Sequence, residues 1–273
     1  MHVASVPRGR GRRVGERQAA ILALLKSHGS ISIGDLASRL NCSPATIRRD
    51  LATLAASAGI RRFHGAVGID AMVVESRFQE RFMEAADAKL AIARCIVHEV
   101  KPGMVVGLNG GTTTTLIARA IAATRLAVTV VTNAVNIALE LTTSGVPVVV
   151  VGGMLQPANY ETTGPLAVEL LNALHLDVAI LGTNGLDPRF GANTHTEAEA
   201  TVGRTFSERA DRVVVAADAS KFGRTALFRM VDWSRIHEIV SDQRAEATCR
   251  KWRLETVDSL AEASVWNVHP YDR

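Results

Sequence analysis

Small and polar residues follow the ends of several apolar, β-rich runs, and their spacing suits the binding of a small anion. The densest group, Asn-Gly-Gly-Thr-Thr-Thr-Thr at 109–115, leads directly into a helix-length segment. Glycines let a ligand approach the backbone, and a helix N-terminus offers free N–H groups and partial positive charge. The group therefore predicts a phosphate-binding turn, although it matches neither a Walker loop nor a dinucleotide-binding turn.

Four further groups repeat this pattern, at 132–133, 152–153, 182–185 and 218–223. Ordinary turn chemistry explains their glycines but not the amides and the lysine among them. Ligands of parallel sheets bind beyond the carboxyl ends of the strands, so we expect a site for a small, polar, anionic metabolite there. The predicted effector-binding residues are Asn109, Gly110, Gly111, Thr112, Thr113, Thr114, Asn133, Gly152, Gly153, Asn184, Gly185, Glu199, Asp218 and Lys221.

A second group of residues combines a helix cap with basic side chains. Ser43 can cap a helix whose first residue is Pro44, where the missing N–H costs nothing. Ile47, Leu51 and Leu54 recur at helical spacing and should face inward. The residues left on the outer face are Ala45, Thr46, Arg48, Arg49 and Thr53.

Two shorter helices should precede this one, and an extended basic run, Ile-Arg-Arg-Phe-His-Gly at 60–65, follows it. That order is typical of a winged helix-turn-helix domain, whose second motif helix enters the DNA major groove. The predicted DNA-binding residues are Ser43, Ala45, Thr46, Arg48, Arg49, Arg61, Arg62 and His64. The alternative is a small helical subdomain whose arginines only solvate one face.

The charge of the chain is unevenly distributed. Residues 1–65 carry 11 lysines and arginines against three acids, a net charge of +8, which leaves −4 for the rest of a chain whose net charge is +4. A basic N-terminal part suggests a polyanionic partner, here double-stranded DNA. The arginines at 8–13 could equally form a solvated, disordered tail.

Strand-like and helix-like segments alternate through the rest of the chain. Apolar runs at 104–108, 126–131, 146–151, 178–181, 213–217 and 236–240 predict strands, and amphipathic segments at 88–100, 115–123, 134–142, 166–174 and 197–209 predict helices. This alternation favours an α/β fold with a mainly parallel sheet covered on both faces. The expected organisation is a basic disordered tail (1–15), a winged helix-turn-helix domain (16–68), a linker (69–84), an α/β effector domain (85–260) and a C-terminal tail (261–273).

Composition excludes several other classes of protein. The chain has 273 residues, of which 47% are hydrophobic and 21% charged, as in ordinary globular proteins. Its three cysteines, Cys42, Cys95 and Cys249, are scattered, so neither a disulfide scaffold nor a zinc site is expected. The histidines show no metal-ligand spacing, and we predict no metal and no cofactor. No segment reads as a secretory signal or a membrane span, so a cytoplasmic protein is expected.

The chain resembles the DeoR family of bacterial transcription regulators from about Gly15 to Asp242. The most specific motif is Ser-Pro-Ala-Thr-Ile-Arg-Arg-Asp-Leu at 43–51, similar to the family's recognition helix, and the segments 62–65 and 75–78 are similar to its wing and linker. The loops at 109–114, 131–133, 152–153, 181–185 and 218–223 resemble its effector-domain motifs. The resemblance implies a homo-oligomeric (dimeric or tetrameric) repressor of sugar or polyol catabolism that a phosphorylated sugar releases from its operator. It also implies an effector domain related in fold to ribose-5-phosphate isomerases.

The sequence departs from the family pattern at a few positions. Asn109 and Asn184 stand where the family usually has Asp, and the wing lacks the second glycine of the family's His-Gly-Gly-Ala.

The alternative function is a sugar-phosphate isomerase that carries a DNA-binding head. Such a reaction needs a base, normally a carboxylate, over the substrate. Neither Asn109 nor Asn184 can serve, and the carboxylates that remain are Asp187, Glu197, Glu199 and Asp218. We expect a regulator and not an enzyme. A purely architectural DNA-binding protein would leave the second domain without a role.

Overall fold

Three helices and a small antiparallel sheet build the first of two units, which the contacts within the chain separate between residues 77 and 78. The elements are α1 (Arg10–His28), β1 (Ser30–Ser32), α2 (Ile33–Arg39), α3 (Pro44–Ala58), β2 (Ile60–Phe63) and β3 (Ala66–Ile69). Strand β3 pairs antiparallel with both β1 and β2. The computed structural model describes residues 10–28, 30–58, 60–63, 66–69, 78–157, 159–260 and 262–268.

The first unit confirms the predicted winged helix-turn-helix. Its buried core consists of residues at helical spacing, chiefly Ile21, Leu25, Leu36, Ile47 and Leu51. Both predicted caps are present: the Ser32 hydroxyl accepts the Asp35 N–H at 3.0 Å, and the Ser43 hydroxyl accepts the Thr46 N–H at 3.2 Å. The caps set where α2 and α3 begin, because each satisfies a backbone N–H that the helix itself leaves unpaired.

An ion pair joins α1 to α3. Arg17 Nε lies 2.5 Å and Nη2 3.1 Å from the two carboxylate oxygens of Asp50. The Asp50 side chain is only 6% exposed, so the guanidinium satisfies a carboxylate that would otherwise be buried without a partner. Arg17 is therefore engaged inside the unit and does not contribute to a basic DNA-facing surface.

The start of α1 corrects the sequence prediction. A disordered tail is predicted over 1–15, but α1 begins at Arg10, while residues 1–9 lie outside the described residues. Arginine is a good helix former, and the arginines of this segment outweigh the unfavourable propensity of Gly11 and Gly15.

The second unit is an eight-stranded sheet with helices on both faces. A helical segment at 78–83 leads into it. Its helices are α4 (Ala86–Glu99), α5 (Thr112–Thr124), α6 (Val135–Thr143), α7 (Pro165–Asn172), α8 (Glu197–Glu208) and α9 (Glu246–Lys251). Its strands are β4 (Val105–Leu108), β5 (Thr129–Thr132), β6 (Val148–Val150), β9 (Leu176–Gly182), β12 (Ala210–Ala216), β14 (Glu238–Asp242), β15 (Glu255–Leu260) and β16 (Ala263–Asn267).

The strand order is β15-β16-β14-β12-β9-β4-β5-β6. The strands from β14 to β6 pair in parallel, and β16 and β15 add an antiparallel edge. This confirms the mainly parallel α/β fold, with all six predicted strands and all five predicted helices present. The chain order runs outward from β4 in one direction and from β9 in the other, so the loops after these two neighbours diverge. Such a switch point is where open α/β sheets bind their ligands.

Strand β9 shows why the sheet must be covered on both sides. Leu176, Ala179 and Leu181 pack into one buried cluster, and Val178 and Ile180 pack into the other. A strand that is apolar on both faces needs helices on both faces, since each uncovered face would leave apolar surface in water.

Several short elements were not predicted. Strands β7 (Met154–Gln156) and β8 (Glu161–Thr163) form a hairpin, and β10 (Gly185–Asp187), β11 (Gly191–Thr194) and β13 (Phe228–Val231) form a second, three-stranded sheet. The predicted C-terminal tail is partly wrong as well, because β16 lies within it and is hydrogen-bonded between β14 and β15. Within the described ranges, no helix has the length and apolar character needed to span a bilayer.

The Arg17–Asp50 pair yields a prediction for stability. Asp50→Asn preserves the shape of the side chain but removes its charge, and we expect it to lower the free energy of unfolding of the first unit by about 1–3 kcal/mol, the usual contribution of hydrogen bonds to charged groups. Urea denaturation followed by circular dichroism measures this change. A double-mutant cycle with Arg17→Gln isolates the pair, and strictly additive losses would contradict its role.

Candidate functional site

The loops after β4 and β9 are joined by the side-chain amide of Asn109. Its Nδ2 donates to the Gly182 carbonyl at 3.0 Å, and its Oδ1 accepts the Gly182 N–H at 2.8 Å. The amide thus mimics a strand backbone and pairs with the last residue of β9. Asn109 was predicted to bind the effector, but both polar atoms of its side chain are engaged in holding the switch point together.

The turn at 110–111, which follows Asn109, requires glycine and leaves only some of its threonine hydroxyls available to a ligand. Gly111 has φ +128°, and its carbonyl accepts the hydroxyls of Thr114 and Thr115 at 3.1 and 2.7 Å. Thr114 is therefore committed to the turn. The hydroxyls of Thr112 and Thr113 at the start of α5 make no hydrogen bond with the described residues, so they and the first N–H groups of α5 are the donors that a ligand could use.

A buried carboxylate already occupies this turn. Glu161 is 6% exposed, and its carboxyl group lies beside the Gly110 N–H, which favours the ionised form. The side chain fills the space beside Gly110 so closely that a Cβ at that glycine would lie 2.3 Å from Glu161 Cγ. Glycine is required at 110 for this reason, rather than for its backbone dihedral angles.

Glu161 belongs to a chain of hydrogen-bonded side chains across the carboxyl edge of the sheet. Asn159 Nδ2 donates to Glu161 at 3.0 Å and to Glu199 at 2.7 Å. The other oxygen of Glu199 lies 2.5 Å from the Thr194 hydroxyl, which lies 2.7 Å from Asn184 Oδ1. The chain thus joins two predicted site residues, Glu199 and Asn184, to three that were not predicted.

The two carboxylates affect each other's protonation. Burial, and to a smaller extent the nearby charge of Glu199, raise the pKa of Glu161 to about 8. The Gly110 N–H, the Arg81 charge and the Asn159 amide act in the opposite direction but more weakly. Glu161 therefore holds a proton near neutral pH.

Asn133 lies in a neighbouring part of the same edge, at the end of β5. Its side-chain Nδ2 donates to the Thr162 carbonyl at 3.0 Å, while its backbone carbonyl oxygen accepts the Thr162 N–H at 2.7 Å. The Asn133 side chain is fully buried, yet its Oδ1 has no partner among the described residues. An unpaired buried acceptor is costly and suits a ligand or water that donates a hydrogen bond.

Other predicted effector residues have structural roles. A Cβ at Gly153 would lie 2.5 Å from the Thr163 carbonyl, and one at Gly185 would lie 2.3 Å from the Arg224 carbonyl, so both are required for close backbone packing. Asp218 accepts the Ser220 N–H at 3.0 Å and begins the helical turn Ala219–Lys221.

Two of the predicted effector-binding residues, Gly152 and Lys221, have no structural role of this kind. Gly152 is exposed and has no neighbour that a Cβ would touch. Lys221 is partly exposed at the same edge of the sheet as the other groups. Its ammonium group could supply the positive charge that an anionic ligand needs.

The helical segment 78–83 also reaches this edge. The Phe78 ring packs edge-on against Tyr160, with centroids 5.2 Å apart and planes at 72°. Lys89 Nζ caps the segment, since it donates to the Glu84 carbonyl at 2.6 Å and to the Arg81 carbonyl. Burial lowers the pKa of Lys89. Part of the predicted linker is thus an ordered element beside the site.

Sequence reasoning missed Glu161, Asn159 and Thr194 because it searched only the ends of long apolar strands. These residues lie in or beside the short strands β8 and β11, which carry no clear apolar run. A usable signal was present: Glu161 precedes Thr-Thr-Gly-Pro, where Gly-Pro at 164–165 marks the start of a helix.

The predicted DNA-binding residues of α3 lie on its outer face. Ser43, Ala45, Arg48 and Arg49 are exposed, and Thr46 is half-buried with its hydroxyl 2.8 Å from that of Ser43. Arg61 and Arg62 belong to β2, whose backbone is described, while His64 lies outside the described residues.

Comparison with known protein families matches both units. Residues 17–72 match a DeoR-like helix-turn-helix domain, and residues 84–243 match a DeoR C terminal sensor domain. Together these matches cover the recognition helix and the whole switch-point region.

Individual proteins are similar over most of their length. The chain is 32% identical to the L-fucose operon activator of Haemophilus influenzae, over 86% of this chain and 95% of that protein. It is 28% identical to the glycerol-3-phosphate regulon repressor of Escherichia coli K12, over 83% and 90% of the two chains. Among solved structures, ribose 5 phosphate isomerase A from Neisseria gonorrhoeae matches 67% of this chain and 76% of its own at 15% identity, with a TM-score of 0.38. That score supports no conclusion about chemistry.

The Asn109 bridge predicts a pH-dependent cost of replacing the amide by an acid. In Asn109→Asp, one carboxylate oxygen would face the Gly182 carbonyl at 3.0 Å, so we expect a loss of about 1–3 kcal/mol of stability at pH 7. This geometry raises the pKa of the introduced acid in the folded state, so part of the loss should be recovered as the pH falls and the acid is protonated. Thermal denaturation at pH 5 and pH 7 measures the difference from wild type. Asn172→Asp, at an exposed position, is the control, and equal stability of Asn109→Asp and wild type at pH 7 would contradict the bridge.

Proposed function

Because the chain belongs to the DeoR family of transcription regulators, we propose that it represses an operon for the catabolism of a sugar or polyol and is induced by a phosphorylated form of that compound. The observation that carries the proposal is the Gly-Gly-Thr-Thr turn at the start of α5, which lies at the switch point of the sheet with free donors at Thr112 and Thr113. The similar glycerol-3-phosphate regulon repressor supports both a repressor and a phosphate ester. The similar L-fucose operon activator also supports a sugar as the regulated nutrient, but it activates its operon rather than repressing it.

We assign operator binding to the outer face of α3 and to the wing. Arg48 and Arg49 are exposed next to Thr46 near the N-terminus of α3, the part of a recognition helix that meets base edges. Arg61 and Arg62 lie in the wing strand β2. The remaining proposed contacts are Ser43 and Ala45, which are exposed, and His64 in the wing sequence.

We assign the phosphate of the effector to the N-terminus of α5. Its N–H groups and the hydroxyls of Thr112 and Thr113 would bind the phosphate oxygens, and Lys221 would supply positive charge from the loop after β12. The unpaired Oδ1 of buried Asn133 would accept a hydrogen bond from a hydroxyl of the sugar or polyol. No cofactor is needed for such a sensor.

Catalysis is the second candidate function, and the site favours sensing over it. A base for aldose–ketose isomerisation must be free to take a proton from the substrate. Glu199 is held by Asn159 and Thr194, Glu161 by Asn159 and Gly110, and Asp218 caps its own turn. Each of these carboxylates is already engaged.

A single winged helix makes a small interface, so we propose that the protein acts as a homo-oligomer on a two-fold symmetric operator in the cytoplasm. The second unit would set the spacing between two recognition helices.

Operator affinity should depend on the arginines of α3. Arg48→Ala and Arg49→Ala should each weaken binding by about 1–3 kcal/mol where the arginine reads a base, or reduce the salt dependence by about one unit where it contacts a phosphate. Fluorescence anisotropy at several salt concentrations, on operator DNA selected from the flanking genome, distinguishes the two roles. Arg94→Ala, which removes an exposed positive charge from α4, is the matched control. Unchanged affinity of a folded double variant would exclude α3 as the recognition helix.

Effector affinity should depend on the start of α5. Thr112→Asp suits a helix N-terminus but places a negative charge where the phosphate is proposed, so we expect at least tenfold weaker binding of phosphate esters at an undiminished melting temperature. Calorimetric titration with glycerol 3-phosphate and a panel of phosphorylated sugars measures this. Thr112→Asn has the same shape without the charge and should bind more tightly than Thr112→Asp. Equal affinities of the two variants would place the phosphate elsewhere.

A further inference from the structure

The turn that we assign to the effector phosphate already holds an acidic side chain of the protein itself. The Glu161 carboxyl group lies beside the Gly110 N–H, and its side chain is packed against Gly110 with no space between them. A phosphate at the start of α5 would therefore share this turn with the Glu161 carboxyl group. The two anions cannot both occupy the turn while Glu161 is ionised, because their repulsion in a buried site is strong.

Glu161 lies in a position from which a movement would be transmitted. The preceding residue, Tyr160, has a left-handed backbone with φ +61°, and its ring packs edge-on against Phe78. Phe78 is buried and begins the helical segment 78–83, the first part of the second unit. The same segment carries Arg81, whose charge acts on Glu161. Displacement of Glu161 would therefore alter the contacts that fix the chain where it enters the second unit.

We propose that Glu161 is an internal competitor for the anionic group of the effector, and that its displacement from Gly110 is the step that releases the helical segment 78–83. This inference rests on the proposed function, since it requires a phosphate ester at the start of α5. It assigns a regulatory role to a residue that contacts the proposed phosphate site.

The proposal has a defined dependence on pH. The charged groups that act on Glu161 are Glu199 from α8 and Arg81 from the segment 78–83, with neutral donors from Gly110 and Asn159. Protonated Glu161 is neutral and holds the Gly110 N–H only weakly, so a phosphate displaces it readily, whereas the ionised form keeps the N–H and repels the phosphate. Since the pKa of Glu161 is raised to about 8, affinity for a dianionic ester should fall as the pH rises through this value. A phosphate monoester has its second pKa near 6, so the ligand itself does not change charge above pH 7.

The test is a calorimetric titration with glycerol 3-phosphate at pH 7, 8 and 9, or with the tightest ester of the panel where another binds better. A pKa near 8 predicts about tenfold weaker binding to wild type at pH 9 than at pH 7. Glu161→Gln retains the size and the acceptor oxygen without the charge, so it should bind with nearly equal affinity at all three pH values and more tightly than wild type at pH 9. Glu208→Gln, at the exposed end of α8, should behave like wild type.

Lys89 is another titratable group of this region, and burial lowers its pKa. A pH dependence that persists in Glu161→Gln would arise from Lys89 or another group and would overturn the proposal. Folding is checked independently: wild type should lose stability relative to Glu161→Gln between pH 7 and pH 9, because ionisation of a buried acid with a raised pKa destabilises the folded state.

Transmission to the DNA is tested with Phe78→Leu, which keeps an apolar side chain but removes the ring contact with Tyr160. We expect its ester affinity to match wild type, while the factor by which the ester weakens operator binding decreases at least threefold. Met83→Ala, at an exposed position of the same segment, is the control. This inference would be overturned if wild type bound the ester but Glu161→Gln left its pH dependence unchanged and Phe78→Leu left its effect on operator binding unchanged. The proposed function would still stand in that case. Absence of ester binding to wild type would overturn both.

Discussion

The second unit depends on the junction between β4 and β9, where the strand order reverses and two loops must diverge without exposing strand ends. Asn109 satisfies that requirement by pairing its amide with both the N–H and the carbonyl of Gly182. An amide can do this because it offers a donor and an acceptor at the same spacing as a peptide group, which an ionised carboxylate cannot. The usual family residue, Asp, would need a different arrangement here, so the departure at 109 has a local structural explanation.

The consequence of this junction is a site filled by the protein's own polar groups. Asn184, Thr194, Glu199, Asn159 and Glu161 form one connected chain that ends on the backbone of Gly110. Two carboxylates in such a chain are unfavourable unless a proton or a counter-charge is present, since burial and like charge both penalise ionisation. A fold that retains this arrangement at its switch point holds a group whose charge state can respond to a ligand. The same contacts explain why none of these carboxylates is free to act as a base.

The sequence predicts the scaffold well because the scaffold is built from long, strongly patterned segments. The six apolar strands, five helices and two serine caps follow from periodicity and capping rules, and the tight turn before α5 follows from its glycines. The centre of the site does not, because Glu161 and Thr194 lie in strands of three or four residues whose position depends on contacts distant in the sequence. Strand β16 was missed for the same reason: it is short, and no helix precedes it to mark the alternation of strands and helices. At Asn109 the sequence predicts a ligand contact, and the structure adds a pairing with a neighbouring strand that the sequence did not indicate, since a strand-end amide can serve either.

The two units differ in how readily a ligand could change them. In the first unit α3 is fixed by a buried apolar core and by the Arg17–Asp50 pair, so a change in its shape would break several buried contacts at once. In the second unit the entering segment 78–83 packs through Phe78 against Tyr160 and through Phe82 beneath Arg119, and Lys89 caps its carbonyls. An effector should therefore act on the spacing between recognition helices in an oligomer rather than on the helix itself, and by thermodynamic linkage operator DNA must weaken effector binding by the same factor.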